Sequence, residues 1–61
     1  MIEKFADIKV GDHFIYDKET FVKSGKVSDD GSHGIAWSIR NGIKYKEWAF
    51  KMSEMVAQTS K

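Results

Sequence analysis

The chain has 61 residues, a formal net charge of +1 at pH 7, and neither cysteine nor proline. This length predicts one small domain over residues 1–61, and the missing cysteines exclude disulfides and thiolate metal sites. The near balance of acidic and basic residues gives little electrostatic attraction to nucleic acid or anionic membranes. Four phenylalanines, two tryptophans and two tyrosines supply the apolar surface of a thin core, which argues against disorder.

The N-terminal half predicts a short β-hairpin. Residues 1–9 are interpreted as a lead-in whose apolar anchors are Phe5 and Ile8. Residues 13–17 and 20–28 are predicted strands, and the polar break from Asp17 to Glu19 predicts a tight hairpin between them. Gly25 predicts a bulge or sharp bend in the second strand. The segment 28–34 is polar or glycine throughout and predicts an exposed loop.

A second hairpin follows this loop. Residues 35–40 alternate in a way that predicts a strand with Ile35, Trp37 and Ile39 on the core face, and Trp37 at the centre of the core. The dipeptide Asn41-Gly42 accepts the positive φ angles of a type I′ turn, the strongest short-range hairpin signal. Residues 43–46 continue the alternation on the far side of the turn.

The segment after Lys46 admits two interpretations. In the favoured one, the strand continues to Phe50 with a bulge near Glu47, then a helical turn at 51–54 leads to a last strand at 55–58. This predicts an all-β fold, a small five-stranded SH3-like barrel with a helical turn before the last strand. The alternative is an α+β fold, in which an antiparallel sheet packs on one C-terminal helix over about residues 46–58.

One segment resembles a known group of proteins. Residues 5–14 read Phe-Ala-Asp-Ile-Lys-Val-Gly-Asp-His-Phe, and Phe21-Val22-Lys23 follows after the first hairpin. This pattern resembles small uncharacterised bacteriophage proteins with an F-x-x-(L/I)-K-V-G-D-x-F opening. The resemblance covers residues 5–23. It implies an SH3-like barrel and a small accessory protein that binds and modulates a host or defence protein in the host cytoplasm, and it implies no catalytic residues.

Catalytic and metal-ligating residue types meet in the loop over residues 28–34, which contains Ser28, Asp29, Asp30, Ser32 and His33. A nucleophile, a base and an acid inside one short loop lack a rigid scaffold, so we interpret them as turn-forming groups that bond their own backbone. The spacing matches neither a calcium loop nor a zinc site. We therefore expect a protein that is not an enzyme, with no catalytic residue, no metal and no cofactor.

Basic and aromatic residues interleave around the second turn, and these form the predicted binding site: Arg40, Lys44, Tyr45, Lys46 and Trp48. On a regular strand, Lys44 and Lys46 share the face opposite Tyr45. A protein partner is expected, because aromatic residues and methionine are enriched at interface cores and open strand edges accept an added strand. The alternative is nucleic acid, bound by stacking and charge. No signal peptide or membrane-spanning run is present, which predicts a cytoplasmic protein without a membrane partner.

Overall fold

The structure is a computed structural model that describes residues 2–58. It contains six strands and one short 3-10 turn, Phe5–Asp7: β1 Ile2–Lys4, β2 His13–Tyr16, β3 Glu19–Val27, β4 His33–Arg40, β5 Ile43–Lys51 and β6 Met55–Gln58. The predicted all-β class is confirmed. The α+β alternative is wrong, because Trp48 and Phe50 pack on the same side of a strand rather than along one face of a helix.

All six strands form one antiparallel sheet in the order β1-β6-β2-β3-β4-β5. Strands β2 to β5 follow one another as a meander, and β6 returns to pair with β2, with Ala57 opposite Ile15. The result is a compact barrel-like sheet with six strands instead of the predicted five. The additional strand is β1, which lies within the predicted lead-in over residues 1–9. Its three residues are too short to show an alternation signal.

The core is built mainly from phenylalanine rings that come from separate elements: Phe5, Phe14, Phe21 and Phe50. Phe5 stacks on Phe50 with ring centroids 5.3 Å apart, and Phe14 stacks on Phe21 at 5.5 Å. Gly34 on β4 faces the Phe5 ring so closely that a Cβ atom at this position would overlap it. Phe5 can therefore pack in the core because Gly34 has no side chain.

The predicted burial of Trp37 is wrong. Its neighbours Ala36 and Ser38 are fully buried, whereas Trp37 is partly exposed on the other face of β4. Alternation identified the strand correctly but not the face that points inward. Because the phenylalanine rings of other elements already fill the interior, β4 can present only small side chains to it.

Both hairpins turn through two residues with positive φ. Asp17 and Lys18 have φ angles of 52° and 66°, and Asn41 and Gly42 have 54° and 75°. These are the angles of type I′ turns, which match the right-handed twist of the paired strands. The predicted hairpins are confirmed at both positions, and the second has the Asn-Gly pair that the turn prefers.

The 3-10 turn is held against the barrel by Lys23. Its ammonium group donates hydrogen bonds to the carbonyl oxygens of Phe5 at 3.0 Å and Ile8 at 2.7 Å, and it lies 4.7 Å from the centroid of the Phe5 ring. Partial burial lowers the pKa of Lys23, while the carboxylate of Asp7 acts in the opposite direction. The lysine thus anchors the segment that delivers Phe5 to the core.

Candidate functional site

The β4–β5 hairpin contains a bulge at Tyr45. Ser38 pairs with Lys46 but the next residue, Ile39, pairs with Lys44, so Tyr45 has no partner of its own on β4. The Ser38 hydroxyl donates to the Lys46 carbonyl at 3.3 Å and accepts from the Lys46 amide at 3.1 Å, next to the bulge. The predicted bulge is therefore present, two residues earlier than expected.

This bulge places the two lysines on different faces, so the expectation that they share one is wrong. The Lys46 ammonium lies 5.7 Å from the centroid of Trp48, and the Lys44 ammonium lies 5.7 Å from that of Trp37. Trp48 is paired with Ala36, the neighbour of Trp37, so the two indole rings point to opposite faces. Lys44 therefore lies apart from the other predicted site residues.

The remaining four residues form one exposed surface, which we call the hairpin surface: Arg40, Tyr45, Lys46 and Trp48. The Arg40 guanidinium lies 4.3 Å from the centroid of the Tyr45 ring. Tyr45 is 58% exposed and Trp48 is 45% exposed, although Trp48 also contacts the core ring of Phe21. The hairpin surface thus pairs each aromatic ring with a cation and leaves both rings open to a partner.

A pocket of about 270 Å³ adjoins the hairpin surface through Trp48. Its other aromatic lining residues are Tyr16, Phe21 and Phe50. Tyr16 packs edge-on against Phe50 with centroids 5.3 Å apart. Tyr16 is not among the predicted site residues, although its position two residues after the buried Phe14 places it on the inner face of β2, at the end of the strand.

Three carboxylates line the same pocket, those of Asp17, Glu19 and Glu54. The negative charge of Glu54 raises the pKa of Tyr16 above its ordinary value, with smaller contributions from partial burial and from Asp17. Lys51 also lines the pocket. The end of the pocket nearest Tyr16 is therefore electrostatically negative.

Strand β5 lies at an edge of the sheet. It pairs with β4 along one side, and its nine residues include eight exposed ones. The hairpin surface and the pocket both include residues of this strand. An edge of this kind can accept a strand from another chain.

The loop between β3 and β4 is stabilised by one carboxylate. Asp30 Oδ1 accepts hydrogen bonds from the Ser28 hydroxyl at 2.8 Å, the Ser32 hydroxyl at 2.7 Å and the Ser32 amide at 3.0 Å. These bonds lower the pKa of Asp30 to about 2. The Ser32 hydroxyl also lies 2.8 Å from His33 Nδ1.

This network differs from a catalytic triad, in which the acid bonds the histidine. In this loop Asp30 bonds the serines, so the groups close the turn as the sequence analysis expected. His33 and Gly34, predicted in the loop, instead begin β4. Within residues 2–58, no three histidine, aspartate or glutamate side chains are grouped as ligands for one metal ion.

Comparison of the chain with protein-family models, curated proteins and solved structures finds no match. No helix within residues 2–58 is long and apolar enough to cross a membrane.

Proposed function

We propose that this chain is a non-enzymatic binding module whose partner is a protein, bound through the hairpin surface and the β5 edge. The observation that carries the proposal is the exposure of Tyr45 and Trp48 beside an open sheet edge. Tyrosine, tryptophan and arginine are the residue types that most often dominate binding energy at protein interfaces.

Two features make this surface suitable for a protein. The core ring of Phe21 packs edge-on against Trp48, at a centroid distance of 6.4 Å, and restricts the indole side chain. Little side-chain entropy is therefore lost when a partner covers Trp48. The β5 edge offers backbone hydrogen bonds to an added strand, and the neighbouring side chains can then provide specificity.

Nucleic acid is the second candidate, and a specific observation favours it. Arg40 over Tyr45 and Lys46 over Trp48 combine positive charge with exposed rings, as in surfaces that bind single strands. The local charge argues against it. Glu19 lies 3.7 Å from the Arg40 Nε, and the carboxylates of the pocket would repel a phosphate backbone that passed Trp48. We therefore favour a protein partner.

The resemblance of residues 5–23 to small bacteriophage proteins extends the proposal. A phage accessory protein of this size would act in the host cytoplasm on a host or defence protein. The partner would then be modulated by binding alone.

Two lysines on β5 offer a matched pair of variants for testing the surface. Lys46→Ala and Trp48→Ala change the hairpin surface, and Lys44→Ala removes an exposed lysine from the other face of the same strand. In a tagged pull-down from nuclease-treated host lysate, we expect the wild type and Lys44→Ala to capture the same protein. Trp48→Ala should lose it and Lys46→Ala should weaken it.

The nucleic-acid candidate is tested on the purified protein. Binding to mixed-sequence single- and double-stranded DNA and RNA is measured at low and physiological salt. Phosphate binding weakens by about 0.7–0.9 log unit per log unit of salt for each phosphate neutralised. Micromolar affinity at physiological salt that is lost in Lys46→Glu and kept in Lys44→Glu would overturn the protein proposal in favour of nucleic acid.

A further inference from the structure

The pocket beside the hairpin surface has the size of a site for one side chain. Its volume of about 270 Å³ falls below the range of about 300–1,000 Å³ that is usual for small-molecule and cofactor sites. Trp48 both lines the pocket and belongs to the hairpin surface, so a partner bound on that surface would place part of its chain near the pocket. A side chain of that partner is the natural occupant.

The pocket combines aromatic rings with carboxylates. Tyr16, Trp48 and Phe50 offer ring faces and edges, and Asp17 and Glu54 offer acceptor oxygens. Aromatic faces attract cations, and a carboxylate adds a charge-assisted hydrogen bond to an ammonium or guanidinium group. A neutral or acidic side chain would leave the excess of carboxylates over Lys51 without a counter-charge.

The charges within the pocket are unevenly compensated. Glu19 has an ion-pair partner, Arg40, whereas Asp17 and Glu54 form no ion pair within residues 2–58. Lys51 is the one lysine among the lining residues, so the pocket has three carboxylates against one ammonium group. The lining therefore has an excess of negative charge, and Glu54 and Asp17 both act on Tyr16, whose pKa they raise.

We infer that this pocket binds the arginine or lysine side chain of a protein partner, at the end formed by Tyr16, Asp17 and Glu54. The inference rests on the proposed function and specifies the chemistry of the partner at one position. The partner therefore carries a basic residue close to the segment that covers Trp48.

The test uses capped hexapeptides with randomised flanking positions and one fixed central residue. Five peptide sets are used, in which the fixed residue is arginine, lysine, glutamate, phenylalanine or norleucine. Norleucine is the uncharged control for lysine, because its side chain is an unbranched alkyl chain without the ammonium group. Binding to ¹⁵N-labelled protein is followed by the amide shifts of Tyr16, Trp48 and Glu54. We expect the arginine and lysine sets to bind roughly tenfold or more tightly than the norleucine set.

The matched variants are Glu54→Gln in the pocket and Glu47→Gln on the opposite face of β5. Each removes one negative charge. Glu54→Gln should abolish the preference for arginine and lysine over norleucine, and Glu47→Gln should retain it.

The outcomes separate the inference from the proposed function. Equal binding of the norleucine and lysine sets, with loss of both in Trp48→Ala, overturns the cation pocket and leaves the protein-binding surface intact. Failure of the arginine and lysine sets to shift these amides at millimolar concentration also overturns the inference. If mixed-sequence nucleic acid then shifts the hairpin amides at physiological salt, the proposed function falls as well.

Discussion

The molecule contains two sets of aromatic side chains, and their surroundings differ completely. Phe5 and Phe14 are fully buried and contact other rings edge-on or stacked. Tyr45 and Trp48 are about half exposed, and each has a cation over its ring. The first group stabilises the barrel, and the second is available to a partner. All four side chains are aromatic, and their positions in the fold decide their roles.

The largest contrast between these groups should appear on truncation. Phe5→Ala removes a fully buried ring and should cost about 3–5 kcal/mol of unfolding free energy. A domain of this length has a total stability of about 3–9 kcal/mol, so this variant should be largely unfolded or close to it. Trp48→Ala should cost about 1 kcal/mol. Urea denaturation followed by circular dichroism measures both, and equal losses would show that Trp48 belongs to the core.

Gly34→Ala tests the close approach of β4 to the Phe5 ring. The added methyl group overlaps Phe5 and should cost about 1–3 kcal/mol. Gly25→Ala is the matched control, because a Cβ atom there meets nothing within 4 Å. In a double-mutant cycle, Phe5→Leu should recover part of the loss in Gly34→Ala. Purely additive effects would show that the two residues do not compete for space.

Gly42→Val tests the turn that carries the hairpin surface. Gly42 has a φ of 75°, a region in which a β-branched residue is strained. The substitution should lower stability by about 1–2 kcal/mol, measured by thermal denaturation. An unchanged melting temperature would show that the hairpin register does not depend on this turn.

Lys18→Gly should have a smaller effect of the opposite sign. Lys18 has a φ of 66°, which glycine adopts without a steric penalty, and the resulting Asp-Gly pair suits a type I′ turn. Removing the left-handed strain at this position should stabilise the fold by more than the additional backbone entropy of glycine destabilises it. The free energy of unfolding should therefore rise by about 0.5–1 kcal/mol. Lys26→Gly, at a strand position with ordinary φ, should instead lower stability.

The smallest expected change is electrostatic. Glu54→Gln removes the main cause of the raised pKa of Tyr16, so this pKa should move down towards 10.0. Phenolate absorbance during an alkaline titration measures it, in a Tyr45→Phe background that leaves Tyr16 as the single tyrosine. Glu47→Gln should leave the titration curve in place. An unshifted curve in Glu54→Gln would contradict a negative potential at this end of the pocket.

Local signals determined much of the secondary structure. The Asn41-Gly42 turn and the β6 limits, 55–58, match their predictions. The limits of the other predicted strands differ from the observed ones by no more than two residues. Among the predicted strands the largest difference is at β4, which begins at His33 rather than at 35, and β1 was not predicted as a strand. Turn chemistry and alternation depend on neighbouring residues, so they can be recognised in the chain itself.

The candidate site was predicted in part. The residues Arg40, Tyr45, Lys46 and Trp48 were selected from their types and order, and the structure brings them together on one surface. Lys44 was separated from them by the bulge at Tyr45, whose position depends on the register between β4 and β5. A shift of one residue moves a side chain to the other face of the sheet.

The sequence by itself determined that this is a small all-β domain, where its hairpins turn, and which residues are suited to binding. Only the tertiary structure decided that Trp37 lies outside, that Gly34 makes room for Phe5, and that Tyr16 and Glu54 share a pocket with Trp48. Alternation has two equivalent faces, and the face of β4 that points inward depends on the rings of distant elements, which fill the interior. A pocket formed by residues of β2, β3, β4, β5 and the turn before β6 has no local signal, because these residues meet only in the folded sheet.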